Sequence, residues 1–111
     1  MGHAEYKIKE GDILGGTWGY DCTLPFWARV VKRTAKYVTL VEIPEIVLEG
    51  RHNGYWTSIP DTRVDAPKKK GEEWRAKVTQ SEHWGEYTTF HNGRNILTQW
   101  DGEPYYCNDM D

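Results

Sequence analysis

Cysteine is nearly absent from this chain, with only Cys22 and Cys107 in 111 residues. A small disulfide scaffold needs a denser set. The two thiols therefore read as reduced cysteines of a cytoplasmic protein, with a Cys22–Cys107 bridge as the alternative. No apolar run reaches the roughly 20 residues of a membrane span. The polar opening MGHAEYKIKEG does not match a secretory signal. The four His and two Cys show neither C-x-x-C nor H-x-x-x-H spacing, so no metal is expected. The Leu14-Gly15-Gly16 stretch is not a phosphate-binding loop, and no cofactor is expected. The carboxylate pairs Glu72-Glu73 and Glu45/Glu49 lack an apolar setting that would raise a pKa. A capped helical period is also missing, so at most one short helical turn is expected, over 45–49. No internal repeat or low-complexity segment is present.

Aromatic residues are abundant instead: six Trp and seven Tyr. Each buries a large area, so few are needed to stabilise a small core. Formal net charge is -3, which disfavours a surface built throughout for nucleic acid. The charge is uneven. Arg29, Lys32, Arg33 and Lys36 cluster early, and Lys68, Lys69 and Lys70 form a run that reads as a solvated loop. No basic residue follows Arg94, whereas Asp101, Glu103, Asp109 and Asp111 make an acidic tail over 101–111.

The chain is punctuated by turn signals. Tyr6 and Ile8 share a face before a Gly11-Asp12 turn, and Gly15-Gly16 permits a bend or bulge. FWARVVKR and KYVTLVEI read as a hairpin turning near Thr34 and Ala35. Period-2 alternation puts Phe26, Ala28, Val30, Val38 and Leu40 on a core face. Trp27, Arg29, Val31, Arg33, Tyr37, Thr39 and Val41 fall on the other face, so Phe26 is predicted in and Trp27 out. That second face is either covered by other parts of the chain or meets a partner. Asn53-Gly54 and His91-Asn92-Gly93 mark further turns, the latter within a second strong hairpin. A strand starting near Thr62 and another placing Trp74, Ala76 and Val78 on one face flank the lysine run. Many short strands of this kind indicate an all-β fold. At this length the choice is a single SH3-like barrel of five to six strands spanning 1–111.

One pattern is more specific. The stretch GDILGGTWGYDCT, an aromatic pair, then VVKRTAKYVTLVEI, resembles small uncharacterised proteins encoded by phages and mobile elements. Their pattern is roughly G-D-I/L-x-x-x-x-W-G-Y-D-Q-T, a V-V-K hairpin ending V-T-L/V-x-E-I, and a late W-D-G-x-P. Trp100-Asp101-Gly102-Glu103-Pro104 matches the last element, and Cys22 stands where the pattern has Gln. The resemblance implies a phage-type origin, in a host cytoplasm, and no particular activity.

Cys22 beside Asp21, with His52, His83 and His91 elsewhere, has no diagnostic spacing for a nucleophile and base. An isolated thiol in such a chain reads as a small buried hydrophobe, and the protein is expected not to be an enzyme. The favoured function is a binding module engaging a protein partner. Trp18, Tyr20, Asp21, Thr23 and Trp27 of the 17–27 loop, with the adjacent hairpin face, have the residue types of interface hot spots. Asp21 and Thr23 also suit turn positions, and Trp18 suits a plug at the barrel mouth. The alternative is single-stranded nucleic acid, stacked on Trp27 and Tyr37 with Arg29 and Arg33 along the phosphates.

Overall fold

The Val- and aromatic-rich stretches are strands in the computed structural model, which describes residues 6–19, 22–52, 54–63, 73–83, 85–90 and 93–108. They are β1 (Ile13–Trp18), β2 (Leu24–Arg33), β3 (Tyr37–Ile43), β4 (Glu45–His52), β5 (Tyr55–Pro60), β6 (Glu73–Lys77), β7 (Thr79–Ser81), β8 (Gly85–Phe90), β9 (Asn95–Gln99) and β10 (Tyr105–Asn108). The chain is all-β and barrel-like, and there is no helix among the described residues. The helical turn expected over 45–49 is strand β4 instead. Its residues pair with β5 from Glu45↔Pro60 to His52↔Tyr55.

Seven strands form one sheet in the order β6-β3-β2-β1-β9-β8-β7. β6 and β7 are a single run broken at Val78. The first half pairs with β3 and the second with β8. Both ends of the sheet therefore meet in one stretch of chain, and the barrel is nearly closed. Val78 N–H donates to the Lys36 carbonyl at 2.9 Å, and Thr88 Oγ1 donates to the Lys77 carbonyl at 2.9 Å across the seam. The barrel sheet has seven strands, slightly more than the five to six expected from sequence. The extra strands come from this split and from a second sheet.

The barrel interior holds Ile8, Leu14, Phe26, Ala28, Val30, Val38, Leu40, Phe90 and Leu97, with Tyr6, Trp74, Ala76 and Val78 packed against them. Phe26 stacks on Phe90 with ring centroids 4.2 Å apart and meets Trp74 edge-on at 5.7 Å. This is the core face expected for β2, β3 and β6. Gly15-Gly16 is not a bend. It lies inside β1, paired with Trp27 and Phe26. A Cβ on Gly15 would sit 2.5 Å from the Trp27 ring and 2.6 Å from the Tyr105 hydroxyl. The glycine is required by close packing rather than by a turn.

A three-stranded sheet, β10-β5-β4, lies over the outside of the barrel. It covers a second cluster of Trp27, Val41 and Ile43, against which Ile13, Val31, Trp100 and Tyr105 pack. Two register shifts interrupt the β4–β5 pairing, between Val47 and Glu49 and between Glu49 and His52. The expected acidic tail is in part this sheet, since 105–108 form β10, and 109–111 lie outside the described residues. The strand expected near Thr62 is a turn at 62–63. Residues 64–72, with the lysine run at 68–70, lie outside the described residues. Among the described residues no helix is long and apolar enough to cross a membrane.

Candidate functional site

Alternation correctly separates Phe26 from Trp27, but both are buried. Trp27 is 2 % exposed. Its ring lies 4.3 Å from Tyr105 and 5.9 Å from Trp100, and its Nε1–H donates to Ser58 Oγ at 3.1 Å. Burying an indole of ~150–250 Å² at about 25 cal/mol/Å² contributes on the order of 4–6 kcal/mol. The cover comes from β5 and β10, so Trp27 is the centre of the outer core rather than a contact surface. Burial raises the Tyr105 phenol to about 12, with the Asp101 charge adding to it.

Arg33, unlike Trp27, departs from the expected face. A β-bulge lies between Val30 and Lys32, so Lys32 pairs with Thr39 and Arg33 with Val38. The extra residue, Val31, resets the alternation. Arg33 consequently turns to the barrel-core side. Its Nη1 donates to Glu86 Oε1 at 2.7 Å and to the Ile8 carbonyl at 2.8 Å, and its Nη2 to Glu86 Oε2 at 3.1 Å. Glu86 Oε1 also accepts from Ile8 N–H at 2.8 Å. The Arg33 hydrogen bond holds the Glu86 carboxyl below its ordinary range and raises the guanidinium in turn. This pair ties the 6–9 segment to the barrel end. Nearby, the Tyr6 hydroxyl donates to Asp12 Oδ2 at 2.5 Å, and burial first, then Asp12, pushes the phenol up.

Arg29 is half-buried, and its Nη2 donates to the Thr62 carbonyl at 2.5 Å. Thr23 is half-buried and held by paired backbone bonds with Asn108, at 2.9 and 2.8 Å. Tyr20 and Asp21 lie outside the described residues. Cys22 is half-buried and Cys107 buried, and no disulfide joins them. Among the described residues, no three His, Cys, Asp or Glu side chains gather as metal ligands do.

Two features keep expected residues at the surface. The first is the barrel mouth. Trp18, 40 % exposed, ends β1 opposite Leu24. Gly19 has a φ of 127°, and a side chain there would also strike Cys22 Sγ. Trp18 is one wall of a cleft of about 450 Å³, shared with Leu24, Pro25, Pro44 and Trp56. Glu42 and Glu45 line the same cleft. Trp56 Nε1–H donates to Glu45 Oε2 at 3.2 Å, fixing that carboxylate at the rim. Trp18 is thus not the enclosed plug that its position in the sequence permits.

The second feature is the outer face of β2, β3 and β6. Tyr37 is 38 % exposed, with the Arg75 guanidinium 4.7 Å from its ring centre. Register places Lys32, Thr39 and Arg75 in one row and Tyr37 and Lys77 in the next. Sequence reasoning missed Arg75 and Lys77, because they reach Tyr37 only through pairing across more than thirty intervening residues. It missed Glu42, Pro44 and Glu45 because the mouth is assembled from both sheets. A wider groove of about 670 Å³ lies between β1, β9 and β10, lined by Thr17, Arg94, Ile96 and Tyr106 among others. It holds none of the residues expected to bind. Comparison with family models, curated proteins and solved structures finds no match for this chain.

Proposed function

We propose that the protein is a non-enzymatic binding module that takes a peptide segment of a partner protein at the barrel mouth. The observation that carries this reading is Trp18. It stands 40 % exposed on the wall of a cleft whose other apolar surface comes from Leu24, Pro25 and Pro44. Tryptophan at such a position is the residue type that anchors interfaces. The rest of the wall beside Trp18 is largely apolar, so the matching segment presents proline or aliphatic residues to it. The two sheets that form the walls fix the cleft's shape, which lowers the ordering cost of binding. The module acts in the cytoplasm, that of the host where the gene is carried by a phage.

A peptide array tests this. Peptides rich in proline or aliphatic residues should bind, and uniformly polar counterparts should not. Trp18→Ala should weaken the best peptide by roughly 30-fold, about 2 kcal/mol. Leu24→Ala, on the same cleft wall, should weaken it as well. Unchanged affinity in both variants, each folded by circular dichroism, would remove the mouth from the proposal.

A further inference from the structure

The bulge that removes Arg33 from the outer face also brings Lys32 onto it. Lys32, Arg75 and Lys77 share that face with Tyr37, and Lys36 sits in the adjoining turn. All four cations are exposed. Neighbouring strands are ~4.8 Å apart and alternate residues ~7 Å apart along a strand. The three strand cations therefore ring the phenol within about 10 Å. Among the described residues the ion pairs neutralise other cations, Arg33 by Glu86 and Arg63 by Asp61. Glu73 is the carboxylate on β6 that shares this face, one row beyond, opposite Val41. The covering sheet stops at the Trp27 cluster, and the Tyr37 end of the face remains open.

We infer that the Lys32–Lys36–Tyr37–Arg75–Lys77 face binds single-stranded nucleic acid, separately from the peptide cleft at the mouth. Four cations on a chain of net charge -3 form a local positive field that a polyanion backbone matches. Arg75 holds the Tyr37 ring in place, and the exposed part of the ring offers a platform on which a base stacks. A strand fits better than a duplex, because only unstacked bases present their faces to such a ring. Recognition at this face is sequence-tolerant, since every base has a stacking surface.

The test is fluorescence anisotropy of a labelled oligothymidylate of roughly 15 nucleotides, titrated between about 50 and 200 mM KCl. For four phosphate contacts the slope of log K against log salt should approach about -2.8. Lys32→Ala should flatten it by about 0.7. Tyr37→Ala should lower affinity roughly tenfold at every salt concentration, while Tyr37→Phe, which keeps the ring and the fold, should leave it unchanged. Trp18→Ala should also leave it unchanged, which separates this face from the mouth. No binding at low salt would overturn the inference. So would a Tyr37→Ala affinity equal to wild type, or heparin or anionic vesicles binding as well as the oligonucleotide.

Discussion

Replacing Glu86 by Gln should destabilise the protein by about 2 kcal/mol at neutral pH. The carboxylate accepts two hydrogen bonds from Arg33, at 2.7 and 3.1 Å, and one from Ile8 N–H at 2.8 Å. The Gln amide keeps one acceptor for Ile8 but loses the charge opposite the guanidinium. A fully buried pair broken on one side costs about 3–5 kcal/mol, and an exposed pair about 0–1. The side chains here are 22 % and 11 % exposed, which sets the intermediate value. With a urea m-value of about 1.3 kcal/mol/M, the midpoint falls by about 1.5 M. The pH dependence has a definite sign. Glu86 is depressed below its ordinary 4.5 in the fold, so its stabilisation is full above that pH. It is lost as pH falls through the folded value. The gap between wild type and E86Q should therefore close on acidification. Adding Arg33→Met to E86Q should cost less than the sum of the two changes, because the pair acts as a unit. A midpoint drop below about 0.8 M at pH 7, the range of an exposed pair, would refute the reasoning. A gap that did not narrow in acid would refute it equally.

The outer core supplies three further expected outcomes. Gly15→Ala should cost about 1–3 kcal/mol by thermal melting, since the new methyl group meets the Trp27 ring and the Tyr105 hydroxyl. Trp27→Phe should cost about 2–4 kcal/mol, from the smaller ring and from the buried Ser58 hydroxyl that loses its donor. Adding Ser58→Ala to that variant should recover part of the loss. Tyr105, pushed up from 10.0 to about 12, keeps its proton in the fold after the unfolded chain has released it. Stability should then be intact below pH 10 and decline between pH 10 and 12. Ultraviolet difference titration should show Tyr105 among the late-ionising tyrosines; Tyr105→Phe should remove one of them and leave Tyr6, which burial and Asp12 also push up.

The sequence revealed local structure well and its assembly less completely. The β2–β3 hairpin is legible because Val and aromatic residues alternate on both sides of a short turn, and its barrel-facing side came out correctly. The bulge was hidden because Val30 and Val31 are adjacent and equally apolar, so a one-residue slip leaves the pattern plausible. Arg33 was misplaced for that reason alone. Trp27 illustrates a different limit. Alternation fixes which side of a strand a residue faces, but the cover over that side comes from β5 and β10, remote in sequence. Arg75 and Lys77 were missed for the same reason. Trp18 was identified by its residue type and its place before a turn, whereas the carboxylates beside it become neighbours only when the two sheets dock.

The interrupted pairing of β4 has a consequence for self-association. The barrel nearly closes on itself, but the three-stranded sheet ends at β4, where Val47 and Leu48 are 40 % and 49 % exposed. An apolar edge of this kind is a ready template for another chain. The two register shifts leave Glu45, Ile46 and Val47 as the longest regularly paired run before the backbone slips out of step. An incoming strand would find its hydrogen-bonding groups aligned over that short run and displaced beyond it. The irregularity that looks like a flaw in the sheet thus acts as a backbone barrier to aggregation, and deleting Leu48 would remove the first of its two shifts and lengthen the aligned run.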